Sequence, residues 1–118
     1  PLNNIENFIF ESSKALKKFN PNISIINFGH LGDNNLHFNV CIDDKLNKKN
    51  YSNFKKKVNE IIFSFVNKFN GSISAEHGIG QLRKDELKRY KSAEEIKRMK
   101  KIKKIFDPKN IMNPGKVI

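Results

Sequence analysis

The sequence has few of the residues that build disulfide frameworks, cysteine metal clusters or membrane spans. It contains one cysteine, Cys41, and no tryptophan among its 118 residues. A single cysteine excludes an intrachain disulfide and a cysteine-based metal cluster, and it favours a reducing environment. Every apolar run is far shorter than the ~18 residues that a membrane span needs. No secretory signal is visible, so we expect a cytoplasmic protein.

Arginine is also scarce. The chain has 3 Arg against 20 Lys, which gives most of its formal net charge of +11. Such a charge raises nucleic acid or a membrane surface as partners, but nucleic-acid readers depend on Arg for bidentate and stacking contacts. Lysine is enriched together with 17 Asn and 15 Ile, as expected from drift in an A/T-rich coding sequence. We expect no nucleic-acid partner, and we leave open a peripheral membrane surface or an electron-acceptor partner.

The length of the chain is enough for one small domain with a single core. The sequence begins with Pro1 and enters a helical pattern at once, and Asn113 to Ile118 follow a long helical stretch. We therefore expect residues 1–118 to be the C-terminal part of a longer polypeptide. The sequence sets no oligomeric state.

Hydrophobic periodicity predicts seven elements in the order α-β-β-α-β-α-α. Helices are predicted at residues 2–19, 51–69, 83–90 and 93–106, strands at 23–29, 35–43 and 72–76, and a polar loop at 44–50. This order favours an α+β fold with helices on one face of a small antiparallel sheet, a truncated ferredoxin-like domain that upstream strands would complete. Asn3 or Asn4 is expected to cap the first helix, and Ser92 with Glu95 forms a capping box for the last.

Two of the three histidines flank a predicted hairpin turn. If Asp33-Asn34 is a two-residue turn, Leu31 lies opposite Leu36 and His30 opposite His37. Directly opposed residues have Cβ atoms about 4.5–5.5 Å apart on one face of the sheet. Both imidazoles would then converge on one ion.

Apolar alternation along the second strand supports the same placement. The predicted core face is formed by Leu36, Phe38, Val40 and Ile42. His37, Asn39 and Cys41 therefore face the other way, and the pairing puts Phe28 and His30 beside them. Spacing alone leaves open two unrelated surface histidines, because a one-residue slip would separate their faces.

A second segment combines a carboxylate, a histidine and two glycines. Glu76 and His77 end the predicted third strand, and Gly78-Ile79-Gly80 follow them. The glycines let backbone or ligand approach closely. Glu76 is a candidate third ligand, because two histidines and one carboxylate with open positions are typical of catalytic metal sites. His77 would point to the other side of the strand or be turned by the glycines. Taken alone, the segment also fits a salt-bridged Glu and a solvated His.

Three stretches together resemble the C-terminal domain of FAD-linked oxidases, the family of glycolate oxidase flavin subunits, D-lactate dehydrogenases and D-2-hydroxyglutarate dehydrogenases. The stretches are Gly29-His30-Leu31-Gly32-Asp33-Asn34-Asn35-Leu36-His37, Ala75-Glu76-His77-Gly78-Ile79-Gly80 and Phe106-Asp107-Pro108-Lys109-Asn110-Ile111-Met112-Asn113-Pro114-Gly115-Lys116. They follow the family's order and spacing over nearly the last hundred residues. The resemblance implies an FAD cofactor bound largely by a missing N-terminal domain. It also implies oxidation of a small D-2-hydroxycarboxylate to the 2-oxo acid, with hydride transfer to the flavin.

The resemblance also implies a divalent metal and a role for each matching ligand. His30 and His37 match the family's metal-binding histidines, and Glu76 matches its metal-binding carboxylate. Zinc and manganese are the expected ions. The family usually has Gly where this chain has Asn34, a turn position with positive φ that Asn accepts at modest cost.

Three further residues receive roles from the same resemblance. Asn39 matches a substrate-contacting position, His77 matches the proposed base, and Asn113 matches a position near the flavin. We expect the 118-residue chain alone to be inactive, because most of the flavin-binding domain is not in it.

Two other functions remain open from the residues themselves. One is a binding module for acidic partners that uses Lys97, Lys100, Lys101, Lys103 and Lys104. The other keeps the metal site but makes it hydrolytic, with metal-bound water as the nucleophile.

Overall fold

The computed structural model describes residues 2–42 and 48–118. They divide into two compact units, Pro1–Ser72 and Ile73–Ile118, and each is described by itself. The N-terminal unit contains two 3-10 turns, Leu2–Asn4 and Leu31–Asp33. Its other elements are helix α1 (Ile5–Phe19), strands β1 (Ile23–His30) and β2 (Asn35–Ile42), and helix α2 (Lys48–Lys68). The C-terminal unit contains α3 (Lys84–Tyr90) and α4 (Ala93–Phe106). No described helix is long and apolar enough to cross a membrane.

The α+β class is confirmed, but the predicted third strand is wrong. Residues 72–76 form bends and irregular backbone, and β1 and β2 are the only strands among the described residues. A strand exists only where its backbone pairs with a neighbour, and this segment has no such pairing in the described chain. The remaining elements follow the predicted order. Of the predicted loop at 44–50, residues 44–47 lie outside the described part, and α2 already begins at Lys48.

One face of the hairpin carries the core of the N-terminal unit. The buried residues Leu16, Ile23 and Val58 bring together α1, β1 and α2. Partly buried residues from the strands and α2 pack around them: Ile25, Phe38, Val40, Phe54, Ile61 and Ile62. The helices therefore lie on one face of the sheet, as the alternation of apolar residues predicts. Phe63 of α2 is also buried.

The hairpin register differs from the predicted one by two residues. The pairing places Phe28 opposite His37 and His30 opposite Asn35. Leu31–Asp33 form a 3-10 turn, and Asn34 closes it in the left-handed region at φ 55°. A two-residue type I′ turn would need positive φ at both Asp33 and Asn34, whereas the observed turn needs it only at Asn34. Because a two-residue shift is even, every side chain keeps its predicted face.

The helix caps divide into one wrong prediction and one confirmed prediction. Asn4 is the N-cap of α1 but makes no side-chain cap, and its Nδ2 instead donates to the Phe69 carbonyl at 3.2 Å. Ser92 accepts from the Glu95 amide at 3.2 Å, and the Glu95 carboxylate accepts from the Ser92 amide at 3.0 Å. This reciprocal pair is the capping box predicted for α4.

Candidate metal centre

The face of the hairpin opposite the core carries the two histidines. The rings of His30 and His37 have centroids 6.3 Å apart and planes inclined at 44°. The observed register makes them diagonal neighbours instead of directly opposed residues, which is a correction to the predicted pairing. Diagonal neighbours on a sheet remain within reach of long and aromatic side chains. The structure therefore brings the two imidazoles together on the predicted face.

Phe28 fixes the plane of the His37 ring. The two rings are directly opposite in the register and stack in parallel, with centroids 4.9 Å apart and an interplanar angle of 9°. His37 is half-buried by this packing, while the His30 side chain is 62% exposed. A stacked ring has lost most of its freedom about χ2, so one of the two imidazoles is pre-oriented. The sequence placed Phe28 on this face but gave no sign of the stacking.

His30 has an acidic neighbour within the turn. Its Nδ1 lies 3.9 Å from Oδ2 of Asp33, which is too long for a hydrogen bond. The contact places a carboxylate on the Nδ1 side of the ring, but without the hydrogen bond by which outer carboxylates orient metal-binding imidazoles. Asn39 is exposed on the same face, two residues beyond His37. The spacing of Asp33 three residues after His30 could have revealed this neighbour.

Glu76 and His77 lie in the C-terminal unit and contact each other. The distance from Nε2 of His77 to Oε2 of Glu76 is 3.5 Å, with the side chains 90% and 44% exposed. Consecutive residues of a strand point to opposite faces, so this contact depends on the irregular backbone here. Gly78 and Gly80 follow with φ of 70° and 55°, as the predicted bend requires. Of the two orientations predicted for His77, the one turned by the glycines agrees with this geometry.

Asn113 begins a tail that returns to this bend. The tail, residues 113–117, is joined to it by the Val117 amide, which donates to the Gly80 carbonyl at 2.7 Å. Asn113 itself has φ 49°. The end of the second sequence stretch and the residue that follows the third, 37 positions apart in the chain, are therefore in contact within the C-terminal unit.

The buried carboxylate of Asp107 binds the backbone just before Asn113. Asp107 accepts from the amides of Ile111 at 2.9 Å and Met112 at 3.0 Å, and it pairs with Lys103. The Lys103 ammonium beside it, with the two amide donors, holds the pKa of Asp107 below its usual value against the opposing effect of burial. The sequence analysis gave Asp107 no role of its own, although the Lys-Asp spacing of four residues on a helix was a usable signal.

Known proteins resemble this chain along nearly its whole length. The family described as FAD linked oxidases, C-terminal domain, matches residues 1–117. A D-2-hydroxyglutarate dehydrogenase of Stutzerimonas stutzeri (strain A1501) is 43% identical over 110 residues, covering 93% of this chain and 24% of that protein. The glycolate oxidase subunit GlcD of Bacillus subtilis (strain 168) is 37% identical over 117 residues, covering 99% of this chain and 24% of that protein.

A third relative extends the range of names. A D-lactate dehydrogenase of Archaeoglobus fulgidus is 40% identical over 96 residues, covering 81% of this chain and 20% of that protein. The chain thus spans about a quarter or less of the length of these relatives. With the family match over residues 1–117, the resemblance drawn from the three sequence stretches is confirmed. The chain belongs to the family of FAD linked oxidases, to their C-terminal domain.

Proposed function

We propose that this chain is the C-terminal, substrate- and metal-binding part of a longer flavin-dependent D-2-hydroxy acid dehydrogenase, here called the parent protein. The relatives are named for D-2-hydroxyglutarate, D-lactate and glycolate, which share a hydroxyl group beside a carboxylate. The observation that carries the proposal is the pair of imidazoles, 6.3 Å apart on the exposed face of the hairpin in a chain of this family. We expect a cytoplasmic protein.

The histidine pair fits a divalent ion. An ion about 2.0–2.1 Å from each imidazole nitrogen places two ring centroids roughly 5–6 Å apart. The observed 6.3 Å needs only a small rotation of the exposed His30 ring to reach this range. We propose that Glu76 supplies a third, carboxylate ligand, completing a set of the kind that catalytic zinc and manganese sites use. A divalent ion held by these residues would act as a Lewis acid on the substrate hydroxyl.

His77 is the proposed general base. Imidazole is the side chain that most often accepts protons near neutral pH. Its Nε2 lies 3.5 Å from Oε2 of Glu76, so the proposed base and the proposed third metal ligand are neighbours. The exposed ring is accessible to a substrate that arrives from solvent.

Two asparagines would orient the reacting groups. Asn39 lies on the histidine face, two residues from His37, where its carboxamide can donate a hydrogen bond to a substrate carboxylate oxygen. Asn113 lies at the start of the tail, where we propose that it contacts the flavin. The flavin, bound mainly by upstream residues of the parent protein, supplies the redox chemistry.

Anaerobic reduction of the flavin tests the proposal. The parent protein is mixed with glycolate, D-lactate, D-2-hydroxyglutarate or L-lactate, and the loss of flavin absorbance is followed. We expect at least one D-2-hydroxy acid or glycolate to reduce the flavin. His77→Ala should slow this reduction by about 10²–10⁴-fold, and His37→Ala should slow it strongly. Ser24→Ala, an exposed change on the same hairpin, is the control. Unchanged reduction in His37→Ala would contradict the metal-site proposal.

The two alternative functions give different results in the same preparation. A metal-dependent hydrolase would contain no reducible flavin. The lysine module loses one of its five members, because Lys103 is 27% exposed and pairs with Asp107. A module built on the other four would bind nucleic acid with a steep dependence on salt. Absence of binding at low salt would exclude it.

A further inference from the structure

The tail of the C-terminal unit is held in a conformation that it would not adopt alone. Asn113, Gly115 and Val117 have φ of 49°, 72° and 63°. Asn and Gly accept the left-handed region readily, but a β-branched residue there is an outlier. Such backbone persists only where surrounding contacts impose it. The contacts around the tail therefore determine its path.

One of these contacts comes from the backbone and two come from lysine side chains. The Val117 amide donates to the Gly80 carbonyl at 2.7 Å. Lys84 donates from Nζ to the Gly115 carbonyl at 3.0 Å, and Lys116 donates from Nζ to Oε1 of Gln81 at 2.7 Å. The two side-chain links run in opposite directions, one from helix α3 to the tail and one from the tail to the bend. The two links therefore restrain two consecutive residues of the tail, Gly115 and Lys116.

Lys84 differs from the other lysines of its helix region in what it contacts. Lys88 lies 4.0 Å from the Asp85 carboxylate, and Lys91 pairs with Glu95 at 2.9 Å. Lys84 is half-buried and donates to a neutral backbone oxygen. This hydrogen bond links the Lys84 side chain directly to the backbone of the tail at Gly115.

The start of helix α3, from which the Lys84 side chain extends, is itself hydrogen-bonded to the segment around the bend. Lys84 is the first residue of α3. The preceding Arg83 donates its amide to the Ile79 carbonyl at 3.3 Å, and its guanidinium donates to the Ile73 carbonyl. The start of α3 is thus anchored on both sides of Glu76 and His77. The Lys84 side chain extends from this anchored start of α3 to the Gly115 carbonyl. It therefore connects the segment of His77, the candidate base, to the tail that begins at Asn113.

We propose that Lys84 is a positioning residue, which holds the tail so that Asn113 keeps a fixed place relative to His77. The proposal rests on the proposed function, since it assigns Asn113 to the flavin and His77 to the substrate proton. Lys84 touches neither substrate nor flavin in this scheme. Its loss should alter the alignment of the reacting groups more than the affinity for substrate.

The test uses the flavin-loaded parent protein with matched variants. Lys84→Met keeps the length of the side chain and removes the ammonium, and Lys84→Arg keeps a donor. Lys88→Met is the control, one turn further along α3 and 63% exposed. The limiting rate of flavin reduction should fall about tenfold in Lys84→Met. The half-saturating substrate concentration should change less than about twofold. Lys84→Arg should recover most of the rate, and Lys88→Met should match the wild type.

Hydrogen exchange of peptides from residues 110–118 is the second measurement, and it does not depend on catalysis. Lys84→Met should exchange faster in these peptides than Lys88→Met. If Lys84→Met does not fold, Gln81→Met removes the acceptor of the other link from an exposed position and should show the same pattern more weakly. Wild-type rate and exchange in Lys84→Met, or no recovery in Lys84→Arg, would overturn the proposal. A wild-type flavin that no 2-hydroxy acid reduces would contradict the proposed function, while the exchange comparison would still decide whether Lys84 holds the tail.

Discussion

In the N-terminal unit, His30 and His37 lie on a hairpin whose other face packs against two helices, whereas in the C-terminal unit Glu76, His77 and Asn113 lie on irregular backbone. The first pair is supported by buried apolar side chains. The second group is supported by hydrogen bonds that lysine side chains and backbone amides donate, two of which the buried Asp107 carboxylate accepts. Leu87 is the one buried apolar residue among the described residues of the C-terminal unit. The two groups of candidate residues should therefore fail under different substitutions and conditions.

Truncation of the apolar core should affect the N-terminal unit most. Leu16 is fully buried, so Leu16→Ala should lower the local free energy of opening around the hairpin by about 2–5 kcal/mol. Native-state hydrogen exchange of the parent protein would measure this in peptides from α1, β1 and β2. Phe10→Ala, at a residue that is 68% exposed on the same helix, is the control. Equal loss of protection in peptides from α4 would show that the two units open together, and would contradict their independent support.

Loss of the capping box should affect the C-terminal unit alone. Ser92→Ala removes the acceptor for the Glu95 amide and should cost about 0.5–2 kcal/mol in the stability of α4. Ser92→Asn retains a good N-cap and is the matched control. Exchange of α4 peptides should quicken while hairpin peptides remain unchanged. If the hairpin peptides quicken by the same amount, the two units are not supported independently.

Acid should weaken the C-terminal unit. The side-chain hydrogen bond from Lys91, with further bonds from Ser92, lowers the pKa of Glu95 from its usual 4.5 to about 2. The lowered pKa of Asp107 acts in the same direction. A carboxylate with a lowered folded-state pKa adds stability that is present above its usual pKa and is lost as the pH falls towards the folded value. The contribution from Glu95 should therefore disappear between about pH 4.5 and pH 2.

A matched variant isolates this effect. Glu95→Gln keeps an acceptor for the Ser92 amide but cannot titrate. Exchange rates of α4 peptides in the wild type and in Glu95→Gln should differ most near pH 5 and converge as the pH approaches 2. A difference that stays constant over this range would show that the Glu95 charge does not contribute to the stability of α4.

The sequence predicted the regular helices and strands of the N-terminal unit. Helical stripes and strand alternation set α1, α2 and the core face of β2, because burial of one face imposes a regular period. The face shared by His30 and His37 followed from the same alternation. The hairpin register did not follow from this alternation, because a shift by two residues leaves every side chain on the same face. The predicted and observed registers differ only in the turn, in the number of residues with left-handed backbone.

The candidate residues on irregular backbone in the C-terminal unit were less accessible to sequence reasoning. Glu76, His77 and Asn113 were recognised through the family resemblance. Their arrangement depends on backbone at Gly80 and Val117 with positive φ, and on contacts between residues 31 to 37 positions apart. No periodic pattern encodes such contacts. The predicted strand at residues 72–76 failed for the same reason, because pairing with another strand cannot be read from a short apolar segment alone.

The central claim is that His30 and His37 hold a divalent ion, and the metal content of the parent protein tests it most directly. The protein is loaded with zinc or manganese, freed of excess ion, and measured by inductively coupled plasma mass spectrometry beside Ser24→Ala and the double variant His30→Ala, His37→Ala. We predict about one ion per chain in the wild type and in Ser24→Ala, and almost none in the double variant. The same metal content in all three proteins would contradict the claim.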